Sequence, residues 1–311
     1  MKHFMTSGLL SILFLVSGTV SADEPLVKKS TLQPNQQHVL LKFNLQPGDQ
    51  YLFSSVMKQN IVQTLMGQQM TTIQQVTTDY VYAIQSVENG LTTINVTFST
   101  IKMDMDIAGM QSVSFDSANP DAATSELKAL SNLVGQSFLM QVDESGRVKK
   151  IEGLAEIIAS VGGQQAEILK QSFGDSSMIQ NMNQVTNIYP NKKVGRGDSW
   201  TKTFSGSIAG FLQSEATSAF SLSDIEGDLA ILRTDGQMSF SKLEGPGGNP
   251  MLAGAEFNLN GTQTGTFEVD IKSGLPISAK LKQDITGNID VQGMQIPTNI
   301  ESDITITGKK L

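Results

Sequence analysis

The 311-residue chain has no cysteine, two histidines, one tryptophan and four tyrosines. Without a thiol there can be no disulfide, and no lipid-modified lipoprotein N-terminus, because that anchor is attached through a cysteine. His3 falls in the expected leader described below, which leaves His38, so neither a zinc nor a non-haem iron site is expected. No metal and no cofactor are called for. The scarcity of aromatics argues against an outer-membrane barrel, whose wall carries aromatic girdles at both interfaces. Long apolar runs are also missing: the one at Leu9–Val16 falls far short of the roughly 20 residues of a spanning helix, so the mature chain should have no transmembrane segment. Basic excess is lacking too. Lysine and arginine number 22 against 30 acids, a formal charge of −8, which argues against nucleic acid as a partner and against an anionic membrane held by charge.

What is present begins with an export signature. Lys2 and His3 form a short basic start, Leu9–Val16 an apolar core, and Val20-Ser21-Ala22 a small-residue exit, so residues 1–22 read as a cleavable signal peptide. The mature chain then starts at Asp23 and works in the periplasm or outside the cell. Cleavage removes Lys2 and no acid, taking the formal charge to −9. N-terminal sequencing of exported protein should begin at Asp23; secreted material that keeps Met1 would overturn this reading.

Residues 23–311 are expected to form a single β-rich domain. Gln, Thr, Ser and Asn alternate with apolar residues along most of it, the pattern of half-buried antiparallel strands. Tyr80, Tyr82 and Ile84 run into Asn89-Gly90, and Ile94, Val96 and Phe98 run out, a strong hairpin signal. The apolar phase then shifts to Ile101, Met103, Met105 and Ile107, which requires a bulge near Ser99-Thr100. A terminal hairpin is expected around Gln292-Gly293, between strands carrying Leu281, Ile285 and Ile289 and strands carrying Ile300, Ile304 and Ile306.

The middle of the chain changes period. Leu154, Ile157, Ile158 and Val161 keep helical spacing, as do Ile168, Leu169 and Phe173, then Met178, Met182 and Val185 before Tyr189-Pro190. A short helix is also expected after Pro120-Asp121, showing Leu127, Leu130 and Val134. The class expected is therefore α+β, predominantly long antiparallel strands with a mid-chain cluster of helices over about 121–189. Gly48-Asp49-Gln50-Tyr51 and Gly197-Asp198-Ser199-Trp200 open two strand-rich stretches, about 37–120 and 195–310, which would be diverged halves flanking the helical insert 121–189.

Catalytic motifs are present only in fragments. Gly197-Asp198-Ser199 resembles a hydrolase nucleophile turn, but a serine needs a base to take its proton and the late histidine is missing. Ser125-Glu126-Leu127-Lys128 and Lys272-Ser273-Gly274 match two of three penicillin-recognising motifs without the Ser-Asp-Asn element. Asp104 and Asp106 share a strand face and read as its solvated side. Fourteen methionines fall mostly at core-facing positions, where the flexible thioether fills irregular gaps.

Tyr189-Pro190 through Val194-Gly195-Arg196-Gly197-Asp198-Ser199-Trp200, with Val113-Ser114-Phe115-Asp116-Ser117 upstream and Asp270-Ile271-Lys272-Ser273-Gly274-Leu275-Pro276 downstream, resemble a family of exported bacterial proteins known only as a domain of unknown function. That resemblance implies export and a β-rich fold, and carries over no catalytic residues.

The function expected is non-catalytic: an exported module that binds an apolar or amphipathic small molecule, such as a lipid, between sheet and helices. Phe98, Met103, Met105, Ile158, Met178 and Met182 are its candidate ligand-binding residues. A structural or protein-interaction role in the cell envelope is the alternative, and an enzyme of unrecognised type a third.

Overall fold

A computed structural model describes residues 19–20, 37–108, 111–122, 125–161, 174–208, 212–242 and 255–311. Strand occupies 69% of the described residues and helix 11%. The expected α+β class is therefore wrong: the fold is nearly all-β and antiparallel, and the described residues hold no mid-chain helix cluster. The error lies in residues 137–152. Phe138, Met140 and Val142 alternate inward, and Met140 and Val142 pair with Ile151 and Val148 across the turn Asp143–Arg147. The stretch carries a hairpin where helix was expected.

The strands are β1 (His38–Leu40), β2 (Gln50–Leu65), β3 (Gln68–Glu88), β4 (Leu91–Ile107), β5 (Gln111–Asp116), β6 (Ser137–Asp143) and β7 (Val148–Glu152). They continue as β8 (Lys193–Gly195), β9 (Ser199–Ile208), β10 (Leu212–Glu226), β11 (Leu229–Lys242), β12 (Ala255–Asp270), β13 (Pro276–Val291) and β14 (Met294–Lys310). One large sheet runs β9-β10-β11-β12-β13-β14-β2-β3-β4-β6-β7, with β5 also on β4, while β1 and β8 form a separate pair. Thr19–Val20, inside the expected signal peptide, pairs with Ser205 and Phe204 of β9; the rest of that leader lies outside the described residues.

The sheet is two meanders of the same sense, β9 to β13 and β2 to β7, joined through β14, which pairs with β13 and β2. Their entries match in hydrogen bonding. Gly48 donates to Ile84 O, Ile84 to Asp49 O and Asp49 to Gln46 O; Gly197 donates to Leu222 O, Leu222 to Asp198 O and Asp198 to Gly195 O. Both glycines have positive φ, and each partner strand shifts register just beyond, at Ile84/Ser86 and Leu222/Asp224. Each Gly-Asp motif is thus a bulged strand entry, and the buried Asp198 carboxylate accepts from Gly195 N at 2.9 Å.

Local turn chemistry places the other junctions. Asn89 and Gly90 both have positive φ and close the β3–β4 hairpin, and Ser99 is the residue left over between the pairs Asp79↔Thr100 and Tyr80↔Phe98. Gln292 and Gly293 turn β13 into β14 in the same way.

Two helices of two turns or more are seen among the described residues, α1 (Leu154–Val161) and α2 (Asp175–Thr186). Leu154, Ile157 and Ile158 of α1 are buried, as their spacing required. After Pro120 the described residues make the short helical turns Pro120–Ala122, Ser125–Lys128 and Ala129–Leu133, and Leu127, Leu130 and Val134 pack on the core. The helix expected around Ile168, Leu169 and Phe173 lies outside the described residues.

Buried residues recur at alternate positions along β10, β11 and β12 and through much of β4 and β13, so one face of the sheet is internal and the sheet must roll around it. The core divides into two clusters. One, beneath the helices, contains Trp200, Tyr189, Phe138 and Phe267; the other, farther along the same face, contains Ile61, Phe240, Phe257, Ile285 and Ile300.

Candidate functional site: an apolar cleft beneath helix α2 and the polar row beside it

The C-terminal end of α2 and the residues after it are held at three buried points. Asn183 Oδ1 accepts from Val148 N of β7 at 2.8 Å, Trp200 Nε1 of β9 donates to Ile188 O at 2.7 Å, and the Tyr189 hydroxyl donates to Gly274 O in the β12–β13 turn. The segment therefore joins β7 to β9, which lie far apart along the sheet.

Residue 41–45 closes the same end. Leu41, Phe43 and Leu45 point inward in alternation, while Phe43 N donates to Glu144 O and Asn44 N to Ser273 O. Those acceptors belong to two similar turns. Asp143 takes Ser145 N and Arg147 N on one oxygen, and Asp270 takes Ser273 N and its hydroxyl. Ser273 is thus a turn residue, tied to its own aspartate.

Between α2 and the β13-β14-β2-β3 face lies a cleft of ≈150 Å³. Met178, Met182 and Val185 form its helix side; Phe53, Met57, Tyr80, Tyr82, Leu281, Ile304 and Ile306 form its sheet side, and Leu275 and Pro276 one end. Ser55, Asn181, Gln184 and Thr186 are its polar fringe. A closed cavity of that size holds a benzene-sized group. Anything larger requires the methionines to repack, which their unbranched side chains permit. The Tyr82 hydroxyl meets Met182 Sδ at 3.4 Å, and the Phe53 and Tyr82 rings lie 4.8 Å apart. Loss of hydration pushes the Tyr80 phenol up to about 12, and Tyr82 higher still, with Tyr80 adding to the effect. Both phenols stay neutral at physiological pH.

Of the residues read from the sequence, Met178 and Met182 line this cleft. Phe98 is buried among aromatic rings, 5.3 Å from Tyr80 and 5.7 Å from Phe138, and Ile158 is buried in the same core. Met103 packs half-buried against it. Met105 borders a separate depression of ≈330 Å³ at the tip of β3, β4 and β5. Asp104 and Asp106 on its rim are exposed and accept from the hydroxyls of Ser114 and Ser112. That depression is larger but lies more open on the sheet, whereas α2 partly covers its cleft.

Reading from strand sequence alone overlooked the row next to the cleft. Met57, Ile304 and Leu281 are cross-strand partners on its sheet side. Two residues farther along each strand, on the same face, come Gln59, Ser302 and Gln283, which are again partners. The row extends to Gln74 on β3 in one direction, and through Gln263, Gly236 and Ser218 to Lys202 on β9 in the other. All its side chains are buried. Gln74 donates to Gln59 Oε1, Gln59 to Ser302 Oγ at 3.0 Å, Gln283 to Gln263 Oε1 at 2.8 Å, and Lys202 to Asn187 Oδ1 at 3.2 Å. Gln74 Oε1, Gln283 Oε1 and Ser218 Oγ have no hydrogen-bond partner. Buried polar atoms are rarely left so.

No helix among the described residues is long and apolar enough to cross a membrane. No curated protein matches the sequence. Among solved structures the chain is similar to lipovitellin, at 12% identity and a TM-score of 0.49, over 86% of this chain and 25% of that one. It is also similar to an outer membrane channel from Pseudomonas putida F1, at 7% identity and 0.26, over 86% and 97% of the two chains. The beta domain of the Bordetella autotransporter Brka matches at 8% and 0.24, over 82% and 98%. The chain spans a quarter of the length of the lipovitellin chain, and at these scores none of the three speaks to function. In sequence, by contrast, the model of a family of unknown function, DUF6263, matches residues 89–276, more than half of the chain, and the protein belongs to that family.

Proposed function

We propose that the protein is a non-catalytic binding module, acting outside the cytoplasm, that holds an apolar or amphipathic small molecule between helix α2 and the sheet. The observation that carries this reading is the cleft itself: a partly covered volume with aliphatic, aromatic and thioether walls, roofed by a helix whose two cleft-facing methionines can rearrange around an occupant. Apolar surface of this kind gains from any solute that displaces water from it.

N-phenyl-1-naphthylamine, an uncharged apolar fluorophore, should bind with micromolar Kd, about 8 kcal/mol. Met182→Trp, which fills the cleft from its helix side, should weaken that binding about tenfold and leave the cooperative unfolding transition in place. Native mass spectrometry of protein purified without detergent should show a retained small apolar mass. If the fluorophore fails to bind and Met182→Trp unfolds the protein as overpacking of a full core would, the space is internal packing, and the structural role in the envelope replaces this reading.

A further inference from the structure

We infer that the buried glutamine–serine row beside the cleft is a hydrogen-bonding subsite for the uncharged, donor-bearing polar group of an amphipath whose apolar part lies beneath α2. This inference rests on the cleft being a ligand site and adds the chemistry of the ligand's polar end.

Position is the first argument. Leu281 lines the cleft, and Gln283 is the next residue on the same strand face, about 7 Å farther on. A molecule lying along β13 and β14 therefore leaves the apolar Met57–Ile304–Leu281 row and meets the Gln59–Ser302–Gln283 row.

Unspent hydrogen-bonding capacity is the second. Gln283 is fully buried and commits its amide N–H to Gln263, while its Oε1 has no partner. Gln74, 1% exposed, repeats the arrangement, its N–H given to Gln59 and its Oε1 free. Orphaned carbonyl oxygens in a dry interior cost stability unless something donates to them. A ligand hydroxyl or amide N–H supplies that donor.

Charge is the third. Glutamine carbonyls repel a carboxylate, and the ammonium in this row, Lys202, stands four strands from Gln283 and already donates to Asn187. An anionic head would be desolvated with no cation beside it, and a cationic head would lack an anion. The subsite therefore selects alcohols and amides over acids and amines. The resting volume of the cleft favours short chains.

The test displaces N-phenyl-1-naphthylamine from the full mature chain with octan-1-ol, methyl octyl ether and octanoate, which share a chain and differ in the head. Octan-1-ol should compete about tenfold better than the ether, which cannot donate, and better still than octanoate. Gln283→Met, close in shape, should bring the alcohol down to the level of the ether. Alcohol and ether competing within twofold of one another, or a preference that survives in Gln283→Met, would overturn the subsite. Fluorophore binding with no displacement by any of the three would overturn it while leaving the cleft reading in place; absence of fluorophore binding would sink both. The comparison of ligands on the unmodified protein stands even if Gln283→Met does not fold.

Discussion

Replacing Gly274 with alanine should leave the protein unfolded or destabilised by several kcal/mol, measured by urea denaturation against the unmodified chain. The residue has φ +72, a conformation that costs any residue with a Cβ about 1–2 kcal/mol. The added carbon would also lie 1.8 Å from Lys42 O and 2.9 Å from Phe43 Cα, both backbone atoms that no side-chain rotation can remove. Segment 41–45 would have to leave its place. With it would go the Asn44–Ser273 bond and the acceptor of the Tyr189 hydroxyl, the joints that hold α2 against the sheet. Gly227, at φ +61 with nothing within 4 Å of its Cβ position, is the control: alanine there should cost only the conformational term. Equal losses at the two sites would show that the junction around Gly274 is not the constraint described.

Stability should climb from pH 8 to about pH 10 and fall beyond it. Burial holds the Lys202 ammonium down to about 8, with Arg147 adding to the depression and Asp143 opposing it. In the unfolded chain the same group titrates near 10.5. Between those values the unfolded chain keeps a proton that the folded one has released, so raising the pH favours folding; below pH 8 the cost of burying the charge is present in full. Tyr80 acts in the opposite sense. Its folded value near 12 lies above the ordinary 10, so its contribution is complete below pH 10 and is lost as the pH rises towards 12. Burial raises Tyr82 and Tyr189 in the same direction. Lys202→Met should abolish the climb and add on the order of 3 kcal/mol at neutral pH, less whatever the Asn187 hydrogen bond contributes. Urea unfolding at pH 6 to 11 reads both effects. A flat profile between pH 8 and 10, or the same slope in Lys202→Met, would show that the buried lysine keeps its proton.

Local features were legible from the residues because local chemistry produces them. Asn89-Gly90 and Gln292-Gly293 supply the positive φ that tight hairpins need, and the change of apolar phase after Phe98 placed the bulge at Ser99. Met178, Met182 and Val185 marked the helix that roofs the cleft. Residues 137–152 were misread because two helical signals flank them, so a short alternating run was absorbed into its surroundings. The sheet side of the cleft was also missed. Tyr80 and Tyr82 show their phase in the sequence, but what lies opposite them is fixed by β14, more than 200 residues away. The polar row is the extreme case. Gln59, Gln263 and Gln283 have polar residues on both sides, and beside the buried Gln74 it is the apolar Ile73 that faces out, so alternation cannot say which positions face inward. Only the registers of successive ladders align them.

Within residues 37–311 the described part of the hydrogen-bonded path through the large sheet runs from β9 to β7, and side chains with one helix join those two strands. Parting them breaks no strand ladder, whereas parting β2 from β14 breaks thirteen residue pairings. Amide exchange should therefore be graded across the sheet. The hydrogen of Val148, held by Asn183, should exchange through a local opening in which α2 lifts away, while those at the centre of β2 and β14 wait for global unfolding. That same opening uncovers the cleft, so the exchange rate at Val148 sets an upper limit on how fast an enclosed molecule could leave beneath the helix.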